Sequence, residues 1–224
     1  MTRTNDMRFQ YFFDPLCGWC YASAPALADL AAEVGDRLTM MPSGLFTQPR
    51  PVSAMADHAW RNDQQIARLT GQRFSDDYHR NVLLAPNGIF DSTALTHALV
   101  ALGEADRGLE ALFLHRAQIA RYVEGQDTSM PGVVARIAVA VAAEVGFAFD
   151  KTTLTERMLH DPILKAASDT RIHKTQQAMA ALGIRGVPQL VAVIDGQNYI
   201  VGGQDLYAGV GRLMDALGAI SAGP

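Results

Sequence analysis

The feature that most constrains this chain is a pair of cysteines in residues 14–20. Cys17 and Cys20 are the only cysteines among 224 residues, and two residues separate them. The strand-forming run Arg8–Phe13 precedes the pair, and the alanine-rich run at residues 21–34 follows it. We therefore expect the pair to lie where a β-strand ends and an α-helix begins, with Cys17 near the helix N-terminus.

The position and spacing of the two cysteines favour thiol–disulfide chemistry. Backbone N–H groups in the first turn of a helix have no partner within the helix, and they stabilise a thiolate placed there. Residues three apart share a helix face, so Cys20 can close a disulfide with Cys17. We expect Cys17 to attack as the exposed thiolate and Cys20 to resolve the mixed disulfide.

Two other interpretations of the pair stay open. Two core cysteines could fall at this spacing by chance. The pair could also form half of a zinc site, but structural zinc takes four ligands, and the sequence has no second Cys-x-x-Cys and no His-x-x-His pair. A Cys-x-x-Cys pair beside a β-α-β pattern is typical of thioredoxin-like redox proteins, and we favour that use.

Composition limits the class of protein and its partners. With 49% hydrophobic residues the chain can build a large core, and its length suits one domain with an insertion. A net charge of −4 gives no electrostatic basis for binding nucleic acid or a membrane surface. Residues 1–7 lack the apolar region of a secretory signal, so we expect a cytoplasmic protein unless an upstream signal was removed. An isolated cysteine pair in that reducing compartment is more typical of catalysis than of a structural disulfide.

The hydrophobic pattern divides the chain into an α/β part and a helical part. Arg8–Phe13, residues 18–35 and residues 37–43 predict a β-α-β unit, and Pro25 predicts a kink in its helix. The second strand is expected to continue to about Phe46. Strands are predicted again at Gln189–Ile194 and residues 198–201, followed by a helix at 204–219. The block between is predicted as seven helices, at residues 54–70, 75–84, 94–102, 104–123, 132–145, 151–160 and 163–182.

Several segments resemble one known family. Residues 11–21 (YFFDPLCGWCY) resemble the DsbA-like branch of the thioredoxin superfamily, and most of all its cytosolic predicted protein-disulfide isomerases, or FrnE-like proteins. Residues 122–127 (YVEGQD) are similar to a segment of their helical domain. The resemblance implies a thioredoxin fold with a large all-helical insertion between the second and third strands. We expect residues 1–50 and 183–224 to form the thioredoxin-fold domain and residues 51–182 the inserted helical subdomain.

The resemblance also implies roles for residues outside the cysteines. Gly186-Val187-Pro188 resembles the superfamily loop in which the proline peptide bond is cis and packs against the cysteines. A trans proline at the start of a strand is the ordinary alternative. The backbone of Val187 would bind an extended substrate as an added strand.

The two residues between the cysteines depart from the best-known periplasmic members, which have Pro-His there. Gly18 and Trp19 take those positions in this chain. The substitution favours reductase or isomerase work over oxidase work. Trp19 would cover one side of the thiolate, and both residues would shape access of the substrate.

Three functions are compatible with these features. The first is a thiol–disulfide oxidoreductase that acts on protein or small-molecule disulfides, needs no metal or organic cofactor, and takes electrons from thioredoxin or glutathione. The second is a glutathione-dependent isomerase or transferase similar to hydroxychromene-carboxylate isomerases and kappa-class transferases. Those proteins usually have Ser where Cys17 stands, so the full pair counts against it. The third is a non-catalytic binding module whose thiols sense redox state.

The remaining conspicuous side chains are predicted to be structural. Aromatic residues at helical spacing are more often core than a groove above the cysteines, although a groove stays possible for Phe46, Trp60, Tyr78, Phe90 and Tyr122. A solvated face of one helix is predicted for Asp57, Arg61, Asp63 and Arg68.

Overall fold

The computed structural model describes residues 7–222. Its strands are β1 (Arg8–Phe13), β2 (Leu38–Pro42), β3 (Arg50–Pro51), β4 (Ile89–Phe90), β5 (Gln189–Ile194) and β6 (Gln197–Val201). Four of them form one sheet in the order β2-β1-β5-β6, in which β1 pairs in parallel with β2 and antiparallel with β5. β6 pairs antiparallel with β5 at the sheet edge.

The described residues also form helices on both sides of this sheet. They are α1 (Gly18–Ala22), α2 (Ala24–Val34), α3 (Ala56–Thr70), α4 (Asp76–Tyr78), α5 (Thr93–Ala105), α6 (Gly108–Tyr122), α7 (Pro131–Glu144), α8 (Lys151–His160), α9 (Pro162–Leu182), α10 (Gly203–Tyr207) and α11 (Val210–Ala222). No helix among the described residues is long and apolar enough to cross a membrane.

The central strand β1 leads directly to the cysteine pair. Tyr11, Phe12 and Phe13 are all fully buried, because neighbouring strands pair with β1 on both edges and helices cover the sheet. A strand buried on both faces is apolar at consecutive positions instead of alternating ones. The aromatic sequence of β1 is therefore that of a central strand, and the chain leaves it at the sheet end where Cys17 lies.

The helix predicted after the cysteines is divided in two. Residue Ser23 separates α1 from α2, and Pro25 lies in the first turn of α2, where its missing N–H costs no helical hydrogen bond. The Ser23 hydroxyl donates to the carbonyl of Cys20 at 3.0 Å. The predicted kink is thus confirmed, as a break at Ser23 between the two helices.

The chain from α3 to α9 forms the helical insertion between β2 and β5, with two exceptions to the prediction. The short strand β3, which precedes α3, pairs with β4, which lies between α4 and α5. The helix predicted at residues 75–84 is α-helical only in α4 and continues as a π-helical turn, His79–Leu83. The proposed domain limits at residues 50 and 183 stay a prediction.

Three predicted element boundaries were wrong. The helix break predicted at Gly103 lies later, because α5 continues to Ala105 and α6 begins at Gly108. The second strand ends at Pro42 instead of near Phe46. The single helix predicted at residues 204–219 is broken between α10 and α11, where Gly209 has φ of +92°. That conformation is strained for other residues, so the chain turns there.

The insertion is tied to the sheet by both apolar and polar contacts. Residues 94–102 of α5 are all buried, as expected for a helix at the centre of a core. Arg171 of α9 donates to the carbonyl of Met40 in β2 at 2.6 Å and pairs with the buried Glu110 of α6. These contacts hold the insertion against the sheet that carries the cysteines.

Gly125 and Gly71 provide a matched test of the packing around the insertion. Both have left-handed backbones, with φ of +66° and +76°. A Cβ at Gly125 would lie 2.6 Å from the backbone carbon of Asp77, whereas nothing lies within 4 Å of one at Gly71. We expect Gly71→Ala to cost about 1–2 kcal/mol of unfolding free energy, and Gly125→Ala about 2–5 kcal/mol. Urea denaturation followed by circular dichroism measures both, and equal losses would contradict the close contact at Gly125.

Candidate active site

The two cysteines occupy the start of α1. Cys17 is the residue that caps this helix, and its N–H donates to the carbonyl of Asp14 at 3.1 Å. Its own carbonyl accepts hydrogen bonds from the N–H groups of Cys20 at 3.0 Å and Tyr21 at 3.1 Å. Both cysteines are free thiols. The strand-to-helix junction predicted for the pair is confirmed.

The two thiols differ in how far solvent reaches them. Cys17 is 9% exposed, whereas Cys20 is fully buried. Burial raises the pKa of the Cys20 thiol well above its usual range, and the neighbouring Cys17 raises it further. Both residues are buried, but Cys17 keeps a small exposure, less than the exposed thiolate predicted from sequence, while Cys20 lies behind it as a protonated thiol. This inequality suits the attacking and resolving roles predicted from the spacing.

The loop before β5 lies against the cysteines. The Val187–Pro188 peptide bond is cis, as the family resemblance implied. The Cys17 thiol donates to the carbonyl oxygen of Val187, with 3.7 Å between sulfur and oxygen. Folding thus brings together Cys17 and Val187, which are 170 positions apart in sequence.

Trp19 contacts a residue that was not predicted from the sequence. Its half-buried ring packs on Tyr207 of α10, with 5.0 Å between ring centroids. Burial, with smaller contributions from Cys20 and Cys17, raises the pKa of Tyr207 to about 12. The hydroxyl of Tyr207 therefore stays neutral beside the cysteines. That Trp19 covers the Cys17 sulfur stays a prediction.

Gly18 faces a buried carboxyl group. A Cβ at Gly18 would lie 2.5 Å from Oδ1 of Asp63 in α3, so a larger residue would displace that carboxyl. Asp63 is only 3% exposed, and its Oδ2 accepts a hydrogen bond from the Tyr78 hydroxyl at 2.9 Å. Burial raises the pKa of Asp63 to about 7, opposed by Tyr78 and Arg121.

The prediction of a solvated face was wrong for Asp63. The other three members of that set are exposed: Asp57, Arg61 and Arg68. Asp63 follows the buried Ala56 by seven residues and precedes the buried Ile66 by three, so it shares their helix face. This spacing was the sequence signal that could have located it.

Asp14 anchors the loop that precedes Cys17. Its fully buried carboxylate accepts hydrogen bonds from the N–H of Leu16 at 3.0 Å, the N–H of Phe46 at 3.1 Å and the Ser92 hydroxyl at 3.1 Å. Burial raises the pKa of Asp14 to about 6, and the three hydrogen bonds limit the rise. Asp14 therefore connects the cysteine loop to the start of α5.

Aromatic residues support the same loop from the insertion. The Tyr122 hydroxyl donates to the Leu16 carbonyl at 2.8 Å. Its ring packs against Tyr21 at 4.9 Å and against Phe74 and Tyr78 at 5.0 Å each. Tyr78, Phe90 and Tyr122 are buried, which confirms the core interpretation for these three, whereas Phe46 and Trp60 are half-buried.

Comparison with known families agrees with this geometry. Residues 9–213 match the DSBA-like thioredoxin domain. The chain belongs to this family. Its members are thiol–disulfide oxidoreductases, so the predicted DsbA-like relationship and the thioredoxin fold with a helical insertion are confirmed.

Solved structures similar to this DSBA-like chain include a cytosolic disulfide reductase. DsbM from Pseudomonas aeruginosa is 29% identical, with a TM-score of 0.78 over 95% of this chain and 98% of DsbM. Its structure with glutathione gives 30% identity and a TM-score of 0.76 over the same shares. A 2-hydroxychromene-2-carboxylate isomerase shares the fold, at 16% identity and a TM-score of 0.56 over 95% of each chain. No curated protein matches the sequence.

The described side chains of this DSBA-like domain supply thiols and no assembled metal site. Among residues 7–222, no three His, Cys, Asp or Glu side chains come together in a way that could hold a metal ion. A slightly exposed thiol backed by a fully buried one suits thiol–disulfide exchange.

Asp14 allows a test of stability against pH. Because its pKa is raised from 3.8 to about 6, the folded state binds this proton more tightly than the unfolded chain. The stability that the protonated group contributes is therefore lost as pH rises through 6. Asn cannot ionise, so Asp14→Asn escapes this loss. Between pH 4 and pH 7 the unfolding free energy of Asp14→Asn should therefore rise relative to that of the wild type by up to about 3 kcal/mol.

Urea denaturation of the reduced protein at both pH values measures this difference. Asp57→Asn, on the exposed face of α3, is the control and should show little change with pH. A difference between wild type and Asp14→Asn that is the same at both pH values would contradict the raised pKa.

Proposed function

We propose that this protein reduces or isomerises disulfides of proteins or small molecules through Cys17 and Cys20. The observation that carries the proposal is the inequality of the two thiols beside the Val187–Pro188 loop: Cys17 is 9% exposed and Cys20 is fully buried. The similarity to DsbM, a cytosolic disulfide reductase, supports reduction as the direction and the cytoplasm as the location.

The proposed reaction has two exchange steps. Cys17 loses its proton, and the thiolate attacks one sulfur of the substrate disulfide. A Cys17–substrate bond forms as the substrate S–S bond breaks, and the leaving thiolate takes a proton from solvent. Cys20 then loses its proton and attacks the Cys17 sulfur, which releases the second substrate thiol. Two electrons pass to the substrate, and the protein is left with a Cys17–Cys20 disulfide.

The burial of Cys20 affects which outcome follows the first step. A thiol whose pKa is raised forms little thiolate, so resolution by Cys20 is slowed. The mixed disulfide then persists long enough for another substrate thiol to attack it. Reduction and isomerisation therefore share one intermediate, and the accessibility of the substrate's own thiols decides between them.

The loop at Val187 and Pro188 is the proposed substrate-binding element. The Val187 carbonyl accepts the Cys17 thiol proton in the reduced protein. A thiolate has no proton to donate, so this carbonyl becomes available when Cys17 ionises. An extended substrate could then donate a backbone N–H to it, as in strand addition. Gly18 and the half-buried Trp19 are proposed to shape the same opening.

Return of the protein to the dithiol state needs an electron donor. The DsbM structure that contains glutathione supports a small thiol in this role, and thioredoxin is the alternative donor. Two molecules of glutathione would be oxidised for each Cys17–Cys20 disulfide reduced. The proposal needs no metal and no organic cofactor beyond this donor.

Insulin reduction with glutathione as donor tests the proposal. We expect Cys17→Ala to lose the activity entirely, because the attacking sulfur is absent. Mixed with insulin in the absence of glutathione, Cys20→Ala should form the mixed disulfide but fail to resolve it, so a covalent complex should accumulate on non-reducing gels.

The double variant Cys17→Ala/Cys20→Ala is the control for uncatalysed reduction by glutathione. Full activity of Cys17→Ala would contradict the proposal. Glutathione-dependent isomerase or transferase turnover that survives Cys20→Ala, together with tight glutathione binding, would favour the second function considered from sequence.

A further inference from the structure

A buried carboxyl group lies directly beside the residue that follows Cys17. The Oδ1 atom of Asp63 occupies the space next to Gly18, where a Cβ would come within 2.5 Å of it. The Oδ2 atom is held by the Tyr78 hydroxyl. Because Asp63 is almost completely removed from solvent, water screens its charge poorly, and a charge change at Cys17 will be felt there.

Arg121 of α6 is a buried cation on the same side of the site. It is 1% exposed, and its three nitrogens make no hydrogen bond of ordinary geometry with any residue in the described range. Its guanidinium lies over the rings of Tyr78, at 5.6 Å, and Phe90, at 5.2 Å. A buried cation needs a buried anion, and the electrostatic interaction with Arg121 favours the ionised form of Asp63.

Each of the other titratable groups packed around Asp63 either stays neutral near pH 7 or interacts with a different partner. Burial raises the pKa values of Tyr78, Tyr122 and Cys20 well above their usual ranges, so all three stay neutral. In the π-helical turn, His79 stacks on Trp60 and Arg80 pairs with Asp77. Near the cysteines, Asp14 also changes charge, with a pKa raised to about 6, but its carboxylate is bound by Leu16, Phe46 and Ser92. Asp63 and Cys17 are the two groups on either side of Gly18 whose charges can exchange.

We propose that Asp63, with Arg121 as its countercharge, is a positioning residue that controls the ionisation of Cys17. The inference rests on the proposed function, in which Cys17 must attack as a thiolate. When Asp63 is ionised it balances Arg121, and a thiolate would add a second buried negative charge. When Asp63 is protonated, the thiolate itself balances Arg121.

The proton balance of this step is simple. Cys17–SH and Asp63–COO⁻ become Cys17–S⁻ and Asp63–COOH, with the proton carried through solvent and no electrons transferred. The total charge of Cys17, Asp63 and Arg121 is unchanged, so the exchange avoids the cost of adding a charge to the interior. Gly18 is required between them because any side chain there would push the Asp63 carboxyl away.

The test is the rate of iodoacetamide alkylation of Cys17 in the reduced full-length protein as a function of pH. Only the thiolate reacts, and Cys20 is buried, so the rate measures ionisation of Cys17. Removing the opposing charge in Asp63→Asn should raise the rate at pH 7 by roughly tenfold and move the main inflection to lower pH. Arg121→Met should lower it by a similar factor, and Arg121→Lys should recover most of that loss.

Two controls separate this role from a structural one. Asp57→Asn, exposed on the same helix, should match the wild type at every pH. The double variant Asp63→Asn/Arg121→Met removes both charges and should return the pH 7 rate toward that of the wild type. An alkylation profile of Asp63→Asn equal to that of Asp57→Asn would overturn the proposal. Alkylation needs no disulfide substrate, so this result is independent of the insulin assay.

A second measurement serves if the Asp63 variants fail to fold. Coupling between two groups is reciprocal, so the Asp63 carboxyl should titrate at lower pH in Cys17→Ala than in the reduced wild type. Carbon-13 NMR of aspartate-labelled protein measures both midpoints. Equal midpoints would overturn the proposal.

Discussion

The structure depends on how firmly the loop before Cys17 is held. Asp14 accepts three hydrogen bonds from within a fully buried site, and one of its partners, Ser92, comes from the start of α5. Tyr122, at the end of α6, donates to the Leu16 carbonyl of the same loop. Two helices of the insertion thus hold the turn between β1 and α1. The insertion is part of the machinery that positions the thiol, because the sheet by itself supplies neither of these contacts.

This arrangement places ionisable groups where they reduce stability. Burial raises the pKa values of Asp14 and Asp63, which means that the folded state at neutral pH bears a cost for each ionised carboxyl. Arg121 is buried, and its guanidinium makes no hydrogen bond of ordinary geometry with the described residues, which adds to that cost. Strained or costly groups of this kind concentrate at functional sites, and here they surround the one reachable thiol.

Much of the fold could be predicted from local pattern. The bounds of β1, β5 and α8 agree with the predicted bounds, and the kink at Pro25 was expected, because each follows from short-range periodicity or proline geometry. The errors fell at Phe46, at the paired strands β3 and β4, in the π-helical turn at His79–Leu83, and at the breaks after α5 and α10. At these places backbone conformation is set by what the segment packs against, so local propensity is a poor guide.

The sequence by itself determined the reactive pair: two cysteines at helical spacing after a buried strand, with Cys20 one turn behind Cys17. It also indicated the Val187–Pro188 loop through family resemblance. Only the tertiary structure decided which distant groups surround that pair, namely the Val187 carbonyl against the sulfur, Tyr207 against Trp19, and Asp63 beside Gly18. The physical reason is range. Helix and strand periodicities depend on residues only a few positions apart. These contacts, in contrast, join segments that meet only after the helices of the insertion have packed on the sheet.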